Sequence, residues 1–521
     1  MVFYSLFDKQ LFNMGGKMLT IIKYCFATLL AAGFCLQAQQ VSYLKLGDAV
    51  AIALEKNYEM KVARLERISA EQNLISAKSN FRLRIDAAMD LPNASEQVEE
   101  IQVPNGLPYF NTTGSVRYQG NLYITQPLPT NGQLQLVGRT YSRNVSYWSE
   151  NEKATKSRSD VLTSTSLQFN QPLLTLNTLK TNLKRANLNF ESAVKRYKRD
   201  ELDIVYNVTN SFFAFYRATR ELQIARENVT QQEELSLLAE KKYNAGLIPE
   251  VEALQMQVDL AQSRNQLVAA ESALNRVSDL FKQLIGLQFT DNVDVMTSFE
   301  RPSVSVDLDQ AVQYALAERT EIRLSEIQVE LQKLRVKEVD AQRDFEGTLS
   351  AFYDLTGVAS SDLWGTTVPR ELWQRSLEDM QGRPNNRGVI FSLQAPLFDW
   401  GGNRAAVQSA KASLQMDELT LVEMRKTIER EVRDTIRRLE EAESQLSVLE
   451  QREKLAKRAF DISVARFNNG DITSQELALD RDRYITSQIS YLDSYINFQL
   501  ALADLKRKTV YDFEYGRSLV E

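Results

Sequence analysis

Histidine is absent from this chain, and its only two cysteines, Cys25 and Cys35, both lie near the N-terminus. Once that segment is removed, as expected below, no imidazole and no thiol remain. Ser-His-Asp and Cys-His catalysis and the usual zinc sites are then excluded, and so are disulfides. No glycine-rich phosphate loop, metal-spaced cluster or nucleophile elbow takes their place. The reading is of a protein that is not an enzyme and needs no cofactor or metal, although counts alone leave a catalytic carboxylate pair open. Long apolar runs are also missing. Beyond Ala38 no stretch reaches the ~18 uncharged apolar residues of a membrane-crossing helix, so a membrane role must use strands. Basic residues are not in excess. The formal net charge of -6 argues against nucleic acid as a partner.

What is present begins with a leader. Lys23 supplies a short positive region, joined by Lys17 if translation starts upstream of Met18. Tyr24 to Leu36 form an apolar core, and Leu36-Gln37-Ala38 offers a cleavage site. Residues 1–38 are therefore expected to be a signal peptide, with Met18 as an alternative start. The apolar run is short of the ~20 residues that a spanning anchor needs.

The remainder repeats itself. Leu46-Gly47-Asp48-Ala49-Val50 is answered by Leu308-Asp309-Gln310-Ala311-Val312, and Ala53-Leu54 by Ala315-Leu316. Gln171-Pro172-Leu173-Leu174 is answered by Gln394-Ala395-Pro396-Leu397-Phe398, and Tyr243-Asn244-Ala245-Gly246 by Phe467-Asn468-Asn469-Gly470. From Pro172 to Gly246 and from Pro396 to Gly470 the spacing is the same. Each copy reads as helix, strands, very long helix, tight turn and return helix. The first copy, 39–290, carries an insertion at 91–160. The second covers 306–508.

Periodicity gives the long helices. Val208, Phe215, Leu222 and Val229 recur every seven residues in a run without proline or glycine, a coiled-coil-like stripe. Such a run of ~65 residues is on the order of 100 Å long at 1.5 Å per residue. Gly246 and Gly470 suit the left-handed position that closes a helix. Pro249 and Thr473 then open the return helices. Phe212-Phe213-Ala214-Phe215-Tyr216 is expected to pack between helices.

Strands are expected at Arg82–Leu91, Thr163–Leu173, Gly347–Leu355 and Gly388–Leu397, two for each copy. Four strands cannot close a barrel, and an open edge cannot survive in lipid, so several protomers must pool them. The insertion adds Ser115–Pro127 and Gln133–Asn144, joined by a hairpin signal at Asn131-Gly132. Its aromatics Tyr118, Tyr123, Tyr141, Tyr147 and Trp148 fit either an interfacial girdle or an extracellular loop. The fold class is mainly α with β: coiled-coil hairpins plus membrane strands contributing to a multi-chain barrel, with an internal two-fold repeat.

From about Leu44 to Lys508 this pattern resembles the TolC-like outer membrane efflux protein family. The resemblance rests on the duplication, on the QPL-type junctions at Pro172 and Pro396, and on the turns KKYNAGLIPEVEAL and ARFNNGDITSQEL. It implies a homotrimer with a twelve-stranded outer-membrane barrel, four strands per protomer, above a periplasmic helical barrel. An equatorial belt would take residues 291–305 and 509–521. The implied function is the passive outer-membrane duct of a tripartite efflux or type I secretion system, with outer-membrane lipid, a periplasmic adaptor and an inner-membrane transporter as partners. The alternative is a periplasmic coiled-coil scaffold or adaptor, which would lack the duplicated strand pairs. Many members have a proline before the outgoing strand, which Phe81-Arg82-Leu83 and Phe345-Glu346-Gly347 lack.

Six residues after each tip glycine stands a glutamate, Glu252 and Glu476. In related proteins an acid matches this place, and the one in the second repeat lines the periplasmic aperture. Glu476, Asp480 and Glu252 are the candidate gate, with Arg466 and Arg481 as candidate partners. The plainer reading is that acids near a helix N-terminus favour its dipole. Tyr243, Asn244, Gly246 and Leu247, with Phe467, Asn468 and Gly470, are the candidate adaptor-docking tips.

Overall fold

The computed structural model describes residues 42–102, 107–149, 154–296, 304–342, 345–361 and 369–519. The expected signal peptide lies outside the described residues, as does 297–303 of the expected linker. The first half contains β1 (Ser42–Leu44), α1 (Leu46–Lys56), α2 (Tyr58–Ser79), β2 (Arg84–Ile101), β3 (Tyr109–Pro127), β4 (Gln133–Ser149), β5 (Ala154–Leu173), α3 (Thr178–Asn244), α4 (Glu250–Ile285) and β6 (Val293–Val295). The second contains α5 (Leu308–Glu318), α6 (Thr320–Ala341), β7 (Glu346–Ser361), α7 (Pro369–Gly382), β8 (Asn386–Gln394), α8 (Gly402–Asn469), α9 (Ser474–Thr509), β9 (Tyr511–Asp512) and β10 (Arg517–Ser518).

The duplication holds for four helices in each half. Helices of 11 and 22 residues precede the strands in each half. Helices of 67 and 36 residues follow them in the first half, and of 68 and 36 in the second. The expected single opening helix is thus two in each copy, broken by extended backbone at Asn57 (ψ 139°) and Arg319 (ψ 123°). Ala49, Ala53, Ala311 and Ala315, four apart in each copy, put small methyls on one fully buried face. The long helices start on side-chain caps. Asn177 Oδ1 accepts from the Lys180 N–H at 3.0 Å, and the Asp399 oxygens accept from Gly401 and Asn403 at 3.0 and 2.8 Å.

The chain divides into two compact units. The first combines Met1–Asn57, Val205–Pro302 and Ala442–Leu500. In it β1 pairs in parallel with β6. Gly286 closes α4 at φ 76°, and a Cβ there would lie 2.6 Å from the Lys56 carbonyl oxygen. The aromatic run of α3 packs as expected. Phe212 meets Phe281 at 6.2 Å and Phe213 meets Tyr495 at 6.4 Å between ring centroids.

The second unit combines Tyr58–Ile204, Ser303–Glu441 and Ala501–Glu521. Its sheet has six strands in the order β2-β3-β4-β5-β7-β8, every neighbour antiparallel. The four main strands expected from the sequence are joined in one sheet by the two expected within the insertion. β3 and β4 stand inside the sheet, with β4 in unbroken register with β5 from Gln133↔Asn170 to Ser149↔Ala154. Side chains alternate across the pleat. One face carries Met89, Leu122, Leu134, Leu136, Leu167, Val389, Phe391 and Leu393, all exposed. The other carries Gln119, Arg139, Gln135, Ser166 and Gln168. The insertion's aromatics split between them: Tyr118 and Trp148 on the apolar face, Tyr123, Tyr141 and Tyr147 on the polar one. Pro172 sits within β5 opposite Thr348, and Pro396 falls just beyond β8.

Helix α7 was not expected from the sequence. It covers the upper part of the β7 edge, which β8 does not reach. Asp379 accepts from the Val358 N–H at 2.8 Å, and Ser376 donates to the Gly357 carbonyl at 2.9 Å. A Cβ at Gly357 would lie 1.8 Å from the Ser376 carbonyl oxygen, so glycine is what admits the helix here.

Charged pairs tie this unit's helices together. Arg319 reaches Glu321 at 2.7 Å and Glu431 at 2.8 Å, Arg323 reaches Glu191 at 2.6 Å, and Arg507 reaches Asp203 at 2.9 Å, while Lys508 pairs with Asp504 at 2.8 Å within α9. The hydrogen bond from Arg323 holds Glu191 below the usual carboxylate range. Burial pushes Glu321 and Asp504 upward, but their hydrogen bonds to Arg319 and to Lys508 and Arg507 outweigh it, so both are lowered. A carboxylate with a depressed folded pKa contributes stability above its unfolded value of about 4, and that contribution is lost as pH falls through the folded value. The melting temperature of the detergent-solubilised protein is therefore expected to drop between about pH 5 and pH 3. Glu321→Gln combined with Asp504→Asn is expected to shallow that drop. An identical pH slope in variant and wild type would contradict the assignment.

Candidate functional site

Both helical hairpins of the first unit end in the same turn. Gly246 (φ 71°) and Gly470 (φ 87°) are left-handed. The Gly246 N–H bonds to the Tyr243 carbonyl at 2.8 Å and the Leu247 N–H to the Lys242 carbonyl at 2.9 Å. At the second tip Gly470 bonds to Phe467 at 3.1 Å and Asp471 to Arg466 at 2.9 Å, with the same spacing. This pattern satisfies the last carbonyls of each long helix. Nothing lies within 4 Å of where a Cβ on either glycine would point, so glycine is required there by backbone conformation and not by crowding.

The tips are anchored from inside. Phe467 is buried with Leu235, Ala239, Met256, Phe460 and Leu477. The Lys242 ammonium donates to the Phe467 carbonyl and lies 4.6 Å from its ring centroid. Phe467, expected to be a docking contact, is thus 1 % exposed and part of the core beneath the tip. What the tips present is Tyr243, Asn244, Gly246 and Leu247 from one hairpin, and Asn468 and Gly470 from the other, all exposed. Leu247 stands out there at 73 % exposure, followed by Val251 at 68 %.

The candidate acids separate. Glu476 is exposed and forms a capping box: its carboxylate accepts from the Thr473 N–H at 3.3 Å, while its own N–H donates to Thr473 Oγ1 at 3.3 Å. Asp480 is half-buried, accepting from Ser463 at 2.6 Å and Arg483 at 3.0 Å. Glu252 lies in the first turn of α4, where a carboxylate favours the helix dipole. Arg481, expected to pair with the acids of the gate, turns instead into the hairpin packing. Its guanidinium is 11 % exposed, donates to Gln232 at 2.7 Å and lies 3.8 Å from Asp259. The Thr473-x-x-Glu476 spacing is the signal by which the box was legible. Nothing local marks Lys242, Gln232 or Asp259, which are brought together by packing.

This site can present exposed loops and a carboxylate to a partner or to a passing solute. Among the described residues no cluster of three or more metal-ligating side chains occurs, and no helix is long and apolar enough to cross a membrane. The chain is 23 % identical over 341 residues to the outer membrane protein OprJ of Pseudomonas aeruginosa, covering 63 % of this chain and 67 % of OprJ. Its fold matches the CmeC outer membrane channel of Campylobacter jejuni with a TM-score of 0.64 at 14 % identity, covering 91 % and 87 % of the two chains. It matches the open state of the MtrE outer membrane channel of Neisseria gonorrhoeae with a TM-score of 0.60 at 14 % identity, covering 89 % and 88 %. The sequence pattern of the outer membrane efflux protein family matches residues 137–287 and 311–507, stretches that take in most of both repeats, and the chain belongs to that family.

Proposed function

We propose that three copies of this chain form the exit duct of a tripartite export system, docked by its hairpin tips onto a periplasmic adaptor and driven by an inner-membrane transporter. The chain itself is an outer membrane efflux channel with a TolC-like fold, reaching into the periplasm. The observation that carries the fuller reading is a sheet with one apolar face and two open edges on the same chain as two hairpins with matching turns. A periplasmic scaffold or adaptor would have no use for such a sheet. Conduction through a preformed duct is passive, so the chain needs walls, a gate and docking surfaces and no catalytic group.

In this reading Glu476, Asp480 and Glu252 belong to the periplasmic aperture. Three copies of an exposed carboxylate would favour cations by their field. Glutamine also serves at the fourth position of a capping box, so Glu476→Gln removes the charge and keeps the turn. In single-channel recordings this variant is expected to show weaker cation preference and weaker block by divalent cations, with an unchanged melting temperature. Selectivity and block equal to wild type would sink the gate assignment.

Docking makes a separate prediction. Asparagine tolerates the left-handed conformation, so Gly470→Asn keeps the turn, whereas Gly470→Trp adds bulk at the exposed tip. Export by the tryptophan variant is expected to fall about tenfold or more, equivalent to ~1.4 kcal/mol of lost adaptor affinity, while the trimer stays assembled and the asparagine variant exports near normally. Wild-type export by Gly470→Trp at normal expression would count against docking at the tip.

A further inference from the structure

The trimeric reading, combined with the observed sheet, fixes the size of the outer-membrane barrel. Five successive antiparallel ladders run from β2 to β8, so these two strands point in opposite directions. Placed side by side, β8 of one copy and β2 of the next are antiparallel, and the up-and-down pattern continues across the joint without a break. Among the described residues no strand pairs with the outer edge of β2 or of β8. Both edge strands carry the apolar face to the limit of the sheet, with Met89 on β2 and Val389, Phe391 and Leu393 on β8 all exposed. Beyond the nine residues of β8, α7 bonds to the β7 backbone through Asp379 and Ser376. Hydrocarbon tolerates no open edge, and a second copy supplies a matching one.

We infer that the outer-membrane exit is a barrel of eighteen strands, six from each copy, with the β3–β4 insertion forming a third of its wall. The inference rests on the trimer proposed above and departs from the twelve strands that four per protomer would give. The insertion is built as wall and not as loop. Its strands alternate in step with their neighbours: Leu122, Leu134 and Leu136 share the apolar face with Leu167, while Gln119, Gln135 and Arg139 share the polar face with Gln168. The polar face makes the lumen, and Arg139 is fixed there by its bond to Asn121 at 3.2 Å. Diameter grows roughly linearly with strand number, and barrels of about 16–18 strands leave an open aqueous channel. The exit is thus about one and a half times as wide as a twelve-stranded one. A mouth of that width does not sieve small solutes, and it admits extended polypeptide or similarly bulky cargo.

No cysteine follows Cys35, so with Cys25 and Cys35 replaced by serine, single cysteines report cleanly. In outer membranes, Leu122→Cys and Leu136→Cys are expected to resist a small water-soluble thiol reagent, while Gln119→Cys and Gln135→Cys react. Unfolding in denaturant should then expose all four. A second measurement is the end-on diameter of the detergent-solubilised particle by electron microscopy. Deleting residues 102–153, so that β2 passes directly into β5, is expected to keep a trimer and shrink the barrel diameter by about a third. Equal reactivity at all four positions, or a wild-type trimer with twelve strands in its barrel wall, overturns the wide barrel while leaving the trimer intact. A wild-type particle that is not trimeric overturns the function proposed above as well.

Discussion

A peptide N–H or carbonyl in hydrocarbon must be bonded within the protein, because the solvent offers nothing. That constraint governs the six-stranded sheet. The apolar side chains of one face, from Met89 to Leu393, suit contact with acyl chains, yet the outer edges of β2 and β8 would each leave a row of polar groups unmet. The chain blunts part of the problem itself. Asp379 and Ser376 of α7 bond to backbone groups of β7 where β8 falls short, and Gly357 is the residue that lets the helix come close enough. In the proposed trimer the rest of the edge is met by another copy. Assembly in this account is therefore a requirement of membrane insertion.

The helical parts obey a different rule. Helices of 67 and 68 residues gain their backbone bonds locally, so length costs little so long as each end is terminated cleanly. Both ends are. Asn177 and Asp399 cap the starts, and Gly246 and Gly470 close the finishes with the same bond pattern. Equivalent turns in two repeats place two similar loops at corresponding positions of one unit. Their interior is fixed by Phe467 and Lys242, which leaves the exposed loop residues free to be read by a partner.

The helices were legible in the sequence because their signals are local: a heptad stripe, an absence of proline and glycine, and a glycine at each turn. The duplication added a check, since Pro172 and Gly246 predict the spacing of Pro396 and Gly470. The insertion's strands and their hairpin at Asn131-Gly132 were legible, but their place in the sheet was not. In β3 and β4 about half the side chains are polar, and Gly114, Gly120 and Gly138 interrupt them, so the pattern fits a loop hairpin as well as a sheet strand. Only the register with β5 places them inside the sheet. Helix α7 was missed although its 14 residues are amphipathic, because it stands between two strand signals. At the tips, Glu476 was found by its distance from a glycine, but its bond to Thr473 follows from a capping box that the same residues spell out. Arg481 went elsewhere because Gln232 and Asp259, distant in sequence, are its neighbours in the packed hairpins.

The central claim is that this chain is complete only among copies of itself in a membrane. The most direct test is the mass of the protein extracted from outer membranes, measured by light scattering with the detergent contribution subtracted. The account predicts three chains per particle and no water-soluble population without detergent. A compact, water-soluble single chain would contradict it.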